Sequence, residues 1–413
     1  MKYSLKNKDK HVLTFELSYI EGIYKTEIEI KNVEIYNEKA LPYNFDRQKD
    51  AAETLSNWIE RRKIPKNREF ANKILAILGS DIPDDIAELI KRTLLLSLND
   101  SFWIVPDDKN FLWRDFNLYT NPLNEKLALV AFTGQSIGTS DFSPSPEFTT
   151  NGMLKKCWRK NKASGKIELV KGQITGAMIE NYGREAFSEY YMAQIAEVFG
   201  FNHVKYDLEM LHDQIVSVCE LFTSENVGFI PMGACIPKIK GVNERIDKII
   251  GLYGKEAFED LMLFDALICN SDRHLGNFGM LIENDTQRLI KPAPIFDNGY
   301  SFLNLVESGE FHRIKANLKE NGHFKSAFDM DFDRQAEIFA RHRHIKPLEK
   351  LLNFKFKRHE RYNLSNEVLS KAENFIQDRS DRLIEAIEMK QEMKFNQAVE
   401  LDEPDEISSR MKL

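Results

Sequence analysis

Polar and apolar positions alternate through residues 12–36, most clearly in Tyr24-Lys-Thr-Glu-Ile-Glu-Ile-Lys-Asn-Val33. A period of two sends successive side chains to opposite faces, so this stretch predicts a β-hairpin or meander. The period then lengthens. Ala51, Leu55, Trp58 and Ile59 recur at helical spacing, and Pro65 ends that run. Ile74, Leu75 and Leu78 repeat the spacing up to Gly79, and Ile86, Leu89, Ile90 and Leu94 repeat it again. Residues 1–127 thus predict a mixed N-terminal module that carries no catalytic constellation.

The texture changes at Leu127. Leu127-Ala-Leu-Val-Ala-Phe-Thr133 holds an unbroken apolar run that predicts a strand, and a segment dense in Gly, Ser, Thr and Pro follows from Gly134 to Gly152. Strands are expected at Met153–Arg159 and Lys166–Lys171, joined by the turn Lys160-Asn-Lys-Ala-Ser-Gly165. A helix is expected from about Arg184 to Phe199, closed by Gly200, and a further strand at Gln214–Phe222. After about residue 245 the spacing is mainly helical. Phe258, Leu261, Phe264, Asp265 and Ile268 share one side of a helix, as do Val368, Ala372, Phe375, Ile376, Leu383 and Ile387 nearer the C-terminus. The divisions this suggests are 1–127, 128–240, 241–395 and a flexible acidic tail over 396–413.

Composition adds exclusions. The chain has 413 residues, 42% hydrophobic and 29% charged, enough for a sizeable core and far from the composition of a disordered chain. A net charge of -7 argues against nucleic acid bound through the whole surface, and no direct nucleic-acid contact is expected. The basic run Arg341-His-Arg-His344 is read as a solvated helix face. Cys157, Cys219, Cys235 and Cys269 form no C-x-x-C pair and fit no zinc spacing, as expected of reduced thiols in a cytoplasmic protein. The N-terminus lacks the apolar core of a signal peptide, and no run of about 18 apolar residues exists, so no membrane contact is expected.

The chemistry concentrates in Asn270-Ser-Asp-Arg-His-Leu-Gly-Asn277 and, twenty residues on, Pro294-Ile-Phe-Asp-Asn-Gly299. Phosphoryl transfer from ATP needs a carboxylate to orient or deprotonate the attacking hydroxyl, and oxygen ligands for the magnesium that bridges the phosphates. Protein kinases set the base and an Asn five residues apart and bring the metal-binding Asp after a hairpin. Asp272 and Asn277 are five apart, Met280–Ile290 reads as a hairpin turning at Glu283-Asn-Asp-Thr286, and Asp297 follows the short apolar strand Pro294–Phe296. Upstream, Lys171 ends an apolar strand and Glu189 lies in the following helix, the order required of the phosphate-binding Lys and its Glu partner. Against this stands the plain reading of capping and bridging residues, which explains each position singly but not their joint order.

On these motifs the sequence resembles the HipA family of serine/threonine kinases. The likeness rests on SPEFTTNG (145–152), ELVKG (168–172), SEYYMAQIAEVFG (188–200), CELF (219–222), NSDRHLGN (270–277) and PAPIFDNGY (292–300), over roughly residues 127–390. WIERRKIPKNR (58–68) also resembles the leading subdomain of some HipA-like proteins. The resemblance implies an α+β, two-lobed protein-kinase-like fold with a small β-rich lobe, a larger helical lobe and an N-terminal α/β extension. It implies Asp272 as catalytic residue, Asn277 and Asp297 as magnesium ligands, Lys171 as the ATP lysine, and His274 on the catalytic loop near the phosphates. Glu220 and Phe222 match the hinge that grips adenine.

Ser143–Gly152 matches the loop that covers the phosphates. It departs from both G-x-x-x-x-G-K-[ST] and G-x-G-x-x-G, so its contacts must come from backbone N–H groups with Ser145, Thr149 or Thr150, aided by Lys155 or Lys156. Family members silence themselves by autophosphorylation in this loop, which makes Ser143 and Ser145 candidates. The resemblance further implies ATP and Mg2+ as cofactors, a toxin-type kinase, a helix-turn-helix antitoxin as partner, and a protein substrate such as an aminoacyl-tRNA synthetase or another translation factor. The same site would also suit a lipid or small-molecule kinase, or a pseudokinase that holds ATP without turnover.

Overall fold

The computed structural model describes residues 1–21, 26–77, 86–135, 144–174, 183–306 and 325–402. Leu78, Gly79, Ser143 and the tail from residue 403 fall outside these ranges. The alternating stretch 12–36 lies in β2 (Lys10–Glu21) and β3 (Thr26–Ile35), and β1 (Lys2–Asn7), which the sequence reading lacks, and β4 (Phe102–Pro106) complete an antiparallel sheet in the order β3-β2-β1-β4. Tyr3 lies opposite Phe15 and Leu5 opposite Leu13, so the apolar half of the alternation faces one way. Helices α1 (Ala51–Glu60), α2 (Ala71–Ala76) and α3 (Ile86–Thr93) cover that face with Leu55, Trp58, Ile59, Ile74 and Ile90.

After a short α4 (Trp113–Phe116) comes the first departure from expectation. Leu127–Thr133 is not a strand but the body of helix α5 (Glu125–Thr133). Asn124 caps it, its side chain accepting from the Leu127 N–H, and Gly134 at φ 70° ends it in the left-handed conformation. An apolar run of this length is ambiguous by periodicity, and Leu and Ala favour the helix once both caps are present. Leu127, Val130 and Ala131 join the core of the first sheet, and so does Phe148.

The small lobe is a second antiparallel sheet in the order β5-β6-β8-β7, from β5 (Lys156–Lys160), β6 (Ile167–Lys171), β7 (Tyr206–Leu211) and β8 (Gln214–Glu220). Helix α6 (Glu185–Phe199) packs on β7 and β8 and is closed by Gly200 at φ 71°. The sequence reading contains no β7. Its turn into β8 is His212-Asp213, and both residues adopt positive φ, 47° and 59°. Two-residue hairpin loops favour this twist, but His-Asp lacks the Asn-Gly signature that announces it.

The third sheet, β11-β10-β9, comprises β9 (Val227–Pro231), β10 (Gly279–Glu283) and β11 (Leu289–Pro292). The expected hairpin around residues 280–290 is therefore present as β10 and β11. A Cβ on Gly279 would run into the Ile230 carbonyl oxygen, so the approach of β9 to β10 requires glycine there. Pro294–Phe296 forms no strand; Ile295 makes an isolated parallel bridge to His203.

Helices α7 (Met232–Cys235), α8 (Val242–Tyr253), α9 (Lys255–Ile268), α10 (Phe332–Phe339), α11 (Ile345–Leu351) and α12 (Asn366–Asp402) build the large lobe. Helix α9 is its axis, with every residue from Leu261 to Ile268 buried. Helix α12 continues to Asp402, past the point where the sequence suggests a tail begins. Among the described residues, no helix is long and apolar enough to cross a membrane.

Candidate active site

Lys171 ends β6 in the middle of the small-lobe sheet, where both neighbouring strands bury it. Its ammonium donates to Glu189 Oε1 of α6 and, at 2.7 Å, to Asp297 Oδ1. Glu189 is also buried and accepts from the Ser217 hydroxyl of β8 through its other oxygen. Burial alone would lower the Lys171 ammonium, but Asp297 and Glu189 together hold it above its ordinary range. Asp297 moves the opposite way. Burial opposes its ionisation, yet Lys171 and then Lys156 pull its carboxyl down to about 2. Asp297 sits at φ 59°, and its N–H donates to the Tyr206 hydroxyl at 3.0 Å. A non-glycine residue in the left-handed region is uncommon, and here it turns a carboxylate back toward the lysine.

The loop after α9 supplies the other half. Asn277 Nδ2 donates to the Asp272 carbonyl oxygen at 2.8 Å and to Asp272 Oδ2 at 3.2 Å. Burial, and then the negative charge of Asp297, raise the Asp272 carboxyl. Arg273 locks this loop to the segment around Asp297. It is 1% exposed, and it grips Asp265 of α9 with Nε at 2.9 Å from Oδ2. Its Nη1 donates to the carbonyls of Asn277, at 2.8 Å, and Phe296, and its Nη2 to Asn298 Oδ1 at 2.9 Å. The residues on both sides of Asp297 are thereby tied to the loop that carries Asp272. Ser188 of α6 completes the tie, donating to the Asn298 carbonyl at 2.7 Å.

The chain therefore brings Lys171, Glu189, Asp297, Asp272 and Asn277 into one network. His274 is exposed, its Nε2 is 4.0 Å from Asp272 Oδ1, and its Nδ1 accepts from the Gly276 N–H at 3.0 Å. The Glu220 carboxylate points to solvent and pairs with Lys166 at 2.7 Å, leaving only backbone for a hinge role. Phe222 packs its ring 5.6 Å from Phe229 and 5.5 Å from Phe296, the residue before Asp297. Thr149 and Thr150 spend their hydroxyls inside the loop. Thr149 donates to the Leu96 carbonyl at 2.8 Å, and Thr150 donates to the Pro146 carbonyl at 2.6 Å while accepting from Trp158 Nε1. Ser145 is 1% exposed, and its hydroxyl has no hydrogen-bond partner among the described residues.

Two further residues bear on the site: Asp265, to which the sequence reading assigns no role, and Lys156, expected to add charge beside the covering loop. Asp265 was visible as a carboxylate on the apolar side of a helix, a position that demands a buried partner. Lys156 lies opposite Lys171 on the neighbouring strand and is 5% exposed, with Nζ donating to the Asn151 carbonyl at 2.8 Å. Burial and the adjacent Lys171 push its ammonium down to about 7.

Among the described residues, no three His, Cys, Asp or Glu side chains form a self-sufficient metal cage. Magnesium does not require one, because it takes one or two protein oxygens and completes its shell with water and phosphate. An ionised Asp297 suits that role. Asn277 does too, since its amide nitrogen is committed to Asp272 and its oxygen is what it can offer a cation. A cavity of about 120 Å³ lies where Trp58 and Arg61 of the first module meet Thr149, Asn151 and Phe229, and Lys171, Asp272, Asn277 and Asp297 do not line it.

No protein-family model matches the chain, and no curated protein sequence matches it. Solved structures do. The Helicobacter pylori proinflammatory kinase CtkA aligns at 17% identity over 58% of this chain and 95% of its own, with a TM-score of 0.43. HipA of Shewanella oneidensis MR-1, in the complex of its toxin–antitoxin system with HipB and operator DNA, aligns at 11% identity and a TM-score of 0.55. That alignment covers 94% of this chain and 99% of HipA. The chain thus has a HipA-like, two-lobed kinase fold with an N-terminal α/β extension.

Proposed function

We propose that the protein is an ATP- and magnesium-dependent phosphotransferase of the HipA-like kind that phosphorylates serine or threonine on a protein. The observation that carries this reading is the continuous network from Glu189 through Lys171 to Asp297, fastened by Arg273 to the loop of Asp272 and Asn277. ATP with magnesium would supply the electrophilic phosphorus. Lys171, kept cationic, would neutralise phosphate oxygens, and Glu189 positions it. Asp297 and Asn277 would present oxygens to magnesium. Asp272 would orient the attacking hydroxyl and accept its proton. Burial raises its carboxyl and favours that acceptance, while a cation at Asp297 would offset the part of the rise that comes from the neighbouring charge. Phe222 and the backbone at Glu220 would border the adenine. Thr149 and Thr150 support the loop's shape, so phosphate contacts from this loop would come from backbone N–H groups and Lys156.

A toxin role, a helix-turn-helix antitoxin and a translation-factor substrate remain part of this proposal, supported by the HipA-like fold. Self-limitation at Ser143 or Ser145 belongs to it as well. Ser145 is too buried to carry a phosphate where it lies, so modification there requires the loop to leave its seat. The test is incubation with γ-labelled ATP and magnesium, wild type beside Asp272→Ala. Label transferred to protein by wild type alone, with ATP binding retained by the variant, is the expected result. Equal transfer by both would sink the assignment of Asp272.

A further inference from the structure

The loop over the nucleotide site is held from outside the kinase lobes. Arg68 belongs to the first module, and its side chain is 0% exposed. Its Nη1 donates to the carbonyls of Glu147, at 2.9 Å, and Thr150, at 3.1 Å. Its Nη2 donates to the Lys156 carbonyl at 2.8 Å and approaches Glu147 Oε2 at 3.4 Å. Glu147, equally buried, uses its other oxygen to accept from the Trp158 N–H at 2.9 Å. One guanidinium therefore fixes two loop carbonyls, the Lys156 carbonyl at the start of β5 and one carboxylate, a geometry that suits its planar fork and that lysine lacks.

Three further contacts make the same connection. Phe148 is 1% exposed and lies in the hydrophobic core of the first module with Leu5, Phe15 and Trp58. Thr149 donates to the Leu96 carbonyl. The Glu69 N–H donates to the Met153 carbonyl at 2.8 Å. The loop is thus an outlying part of the first module's core, although it covers the kinase site. Its far end is Lys156, which Arg68 holds by the carbonyl and which stands opposite Lys171.

We propose that the N-terminal module sets the nucleotide-covering loop, with Arg68 as the positioning residue, so that the docking state of residues 1–127 is read out as nucleotide affinity. This rests on the kinase reading above. By linkage, whatever loosens the module from the loop weakens nucleotide binding, and bound nucleotide tightens the module.

The experiment compares wild type, Arg68→Lys, and the double variant Arg68→Met with Glu147→Met, which replaces a buried pair by apolar groups of similar size and so protects the fold. Amide hydrogen exchange over residues 146–156 and α9 is measured without nucleotide, and Mg·ATP binding and the split between KM and kcat are measured alongside. The expected result is loop exchange at least about tenfold faster with α9 unchanged, and a KM for ATP raised about tenfold with kcat changed less than about threefold. Unchanged loop exchange in either folded variant overturns the proposal. So does exchange that rises equally in α9, which is mere loss of stability, and so does faster loop exchange with unaltered ATP affinity. A wild type that binds no nucleotide defeats the kinase reading instead, while the exchange measurement still decides whether Arg68 sets the loop.

Discussion

Lys156 and Lys171 face each other across two antiparallel strands, and the two ammoniums have unequal surroundings. Lys171 is hydrogen-bonded to two carboxylates; Lys156 is bonded to the Asn151 carbonyl and feels the repulsion of Lys171 more than the attraction of Asp297. Burial, and then that repulsion, push the Lys156 ammonium down to about 7. A polyphosphate favours its charged form and raises it, so binding takes up a proton above neutrality. Affinity for Mg·ATP is fullest below pH 7 and falls as pH rises toward the pKa of the bound state. Titrations at pH 6.5 and 8.5 should show a Kd rising severalfold, and Lys156→Met should bind more weakly at pH 6.5 with that slope flattened. An equal slope in the variant would assign the titration elsewhere. Arg273 invites a different test. Removing one partner of a fully buried pair leaves the other uncompensated, so Arg273→Met should cost about 3–5 kcal/mol of stability in denaturant unfolding. Asp272, Asn277 and Asp297 stand out in the sequence by their spacing, and the structure joins them in one network. The sequence did not reveal that Arg273 binds Asp265, because that pairing depends on where α9 lies, and one-dimensional spacing does not encode this.

Elements were legible where period and caps agree. The N-terminal alternation, α1, α6 with its Gly200 stop, and α9 all follow from hydrophobic spacing. Helix α5 did not, because six apolar residues in a row have no face to betray their period. Its deciding information lies at its ends, in Asn124 and Gly134. Asn124→Ala should accordingly lower stability by about 1 kcal/mol, seen as a lower urea midpoint at unchanged slope. A strand at 127–133 would show no such dependence on Asn124. The β7–β8 hairpin was hidden for the converse reason, since a His-Asp turn adopts positive φ without advertising it. The covering loop was legible as a loop from its Gly, Ser, Thr and Pro content, but its hydroxyls turn inward. That arrangement follows from Arg68 and Phe148, contacts that a reading confined to the loop does not reach.

At the scale of the whole molecule α6 is packed into the core of the large lobe, while the small-lobe sheet keeps its own cluster with Val170, Val216 and Val218, and this limits which parts of the site can move. Protein kinases are commonly regulated by shifting the helix that carries the Glu partner of the phosphate-binding Lys. On the reading proposed above that helix is α6, and Tyr191, Met192, Ile195 and Ala196 bury its far side in the same hydrophobic cluster as α9 and α12. Ser188 bonds the Asn298 carbonyl and Tyr191 bonds Asn363 at 2.7 Å, so α6 is also fastened to the segment after Asp297 and to the approach to α12. A helix so placed opens only when the large lobe opens. The covering loop differs, since its attachments run to the first module and to β5. Native-state hydrogen exchange should therefore place the α6 amides with those of α9, at the free energy of global unfolding, while residues 146–156 open separately and at lower cost. Adding Mg·ATP should slow exchange in the loop far more than in α6, because α6 has no lower-energy opening for the ligand to suppress. If α6 instead exchanges through its own low-energy opening and nucleotide suppresses it, the Lys171–Glu189 pair is the movable part, and control of the site lies within the kinase lobes.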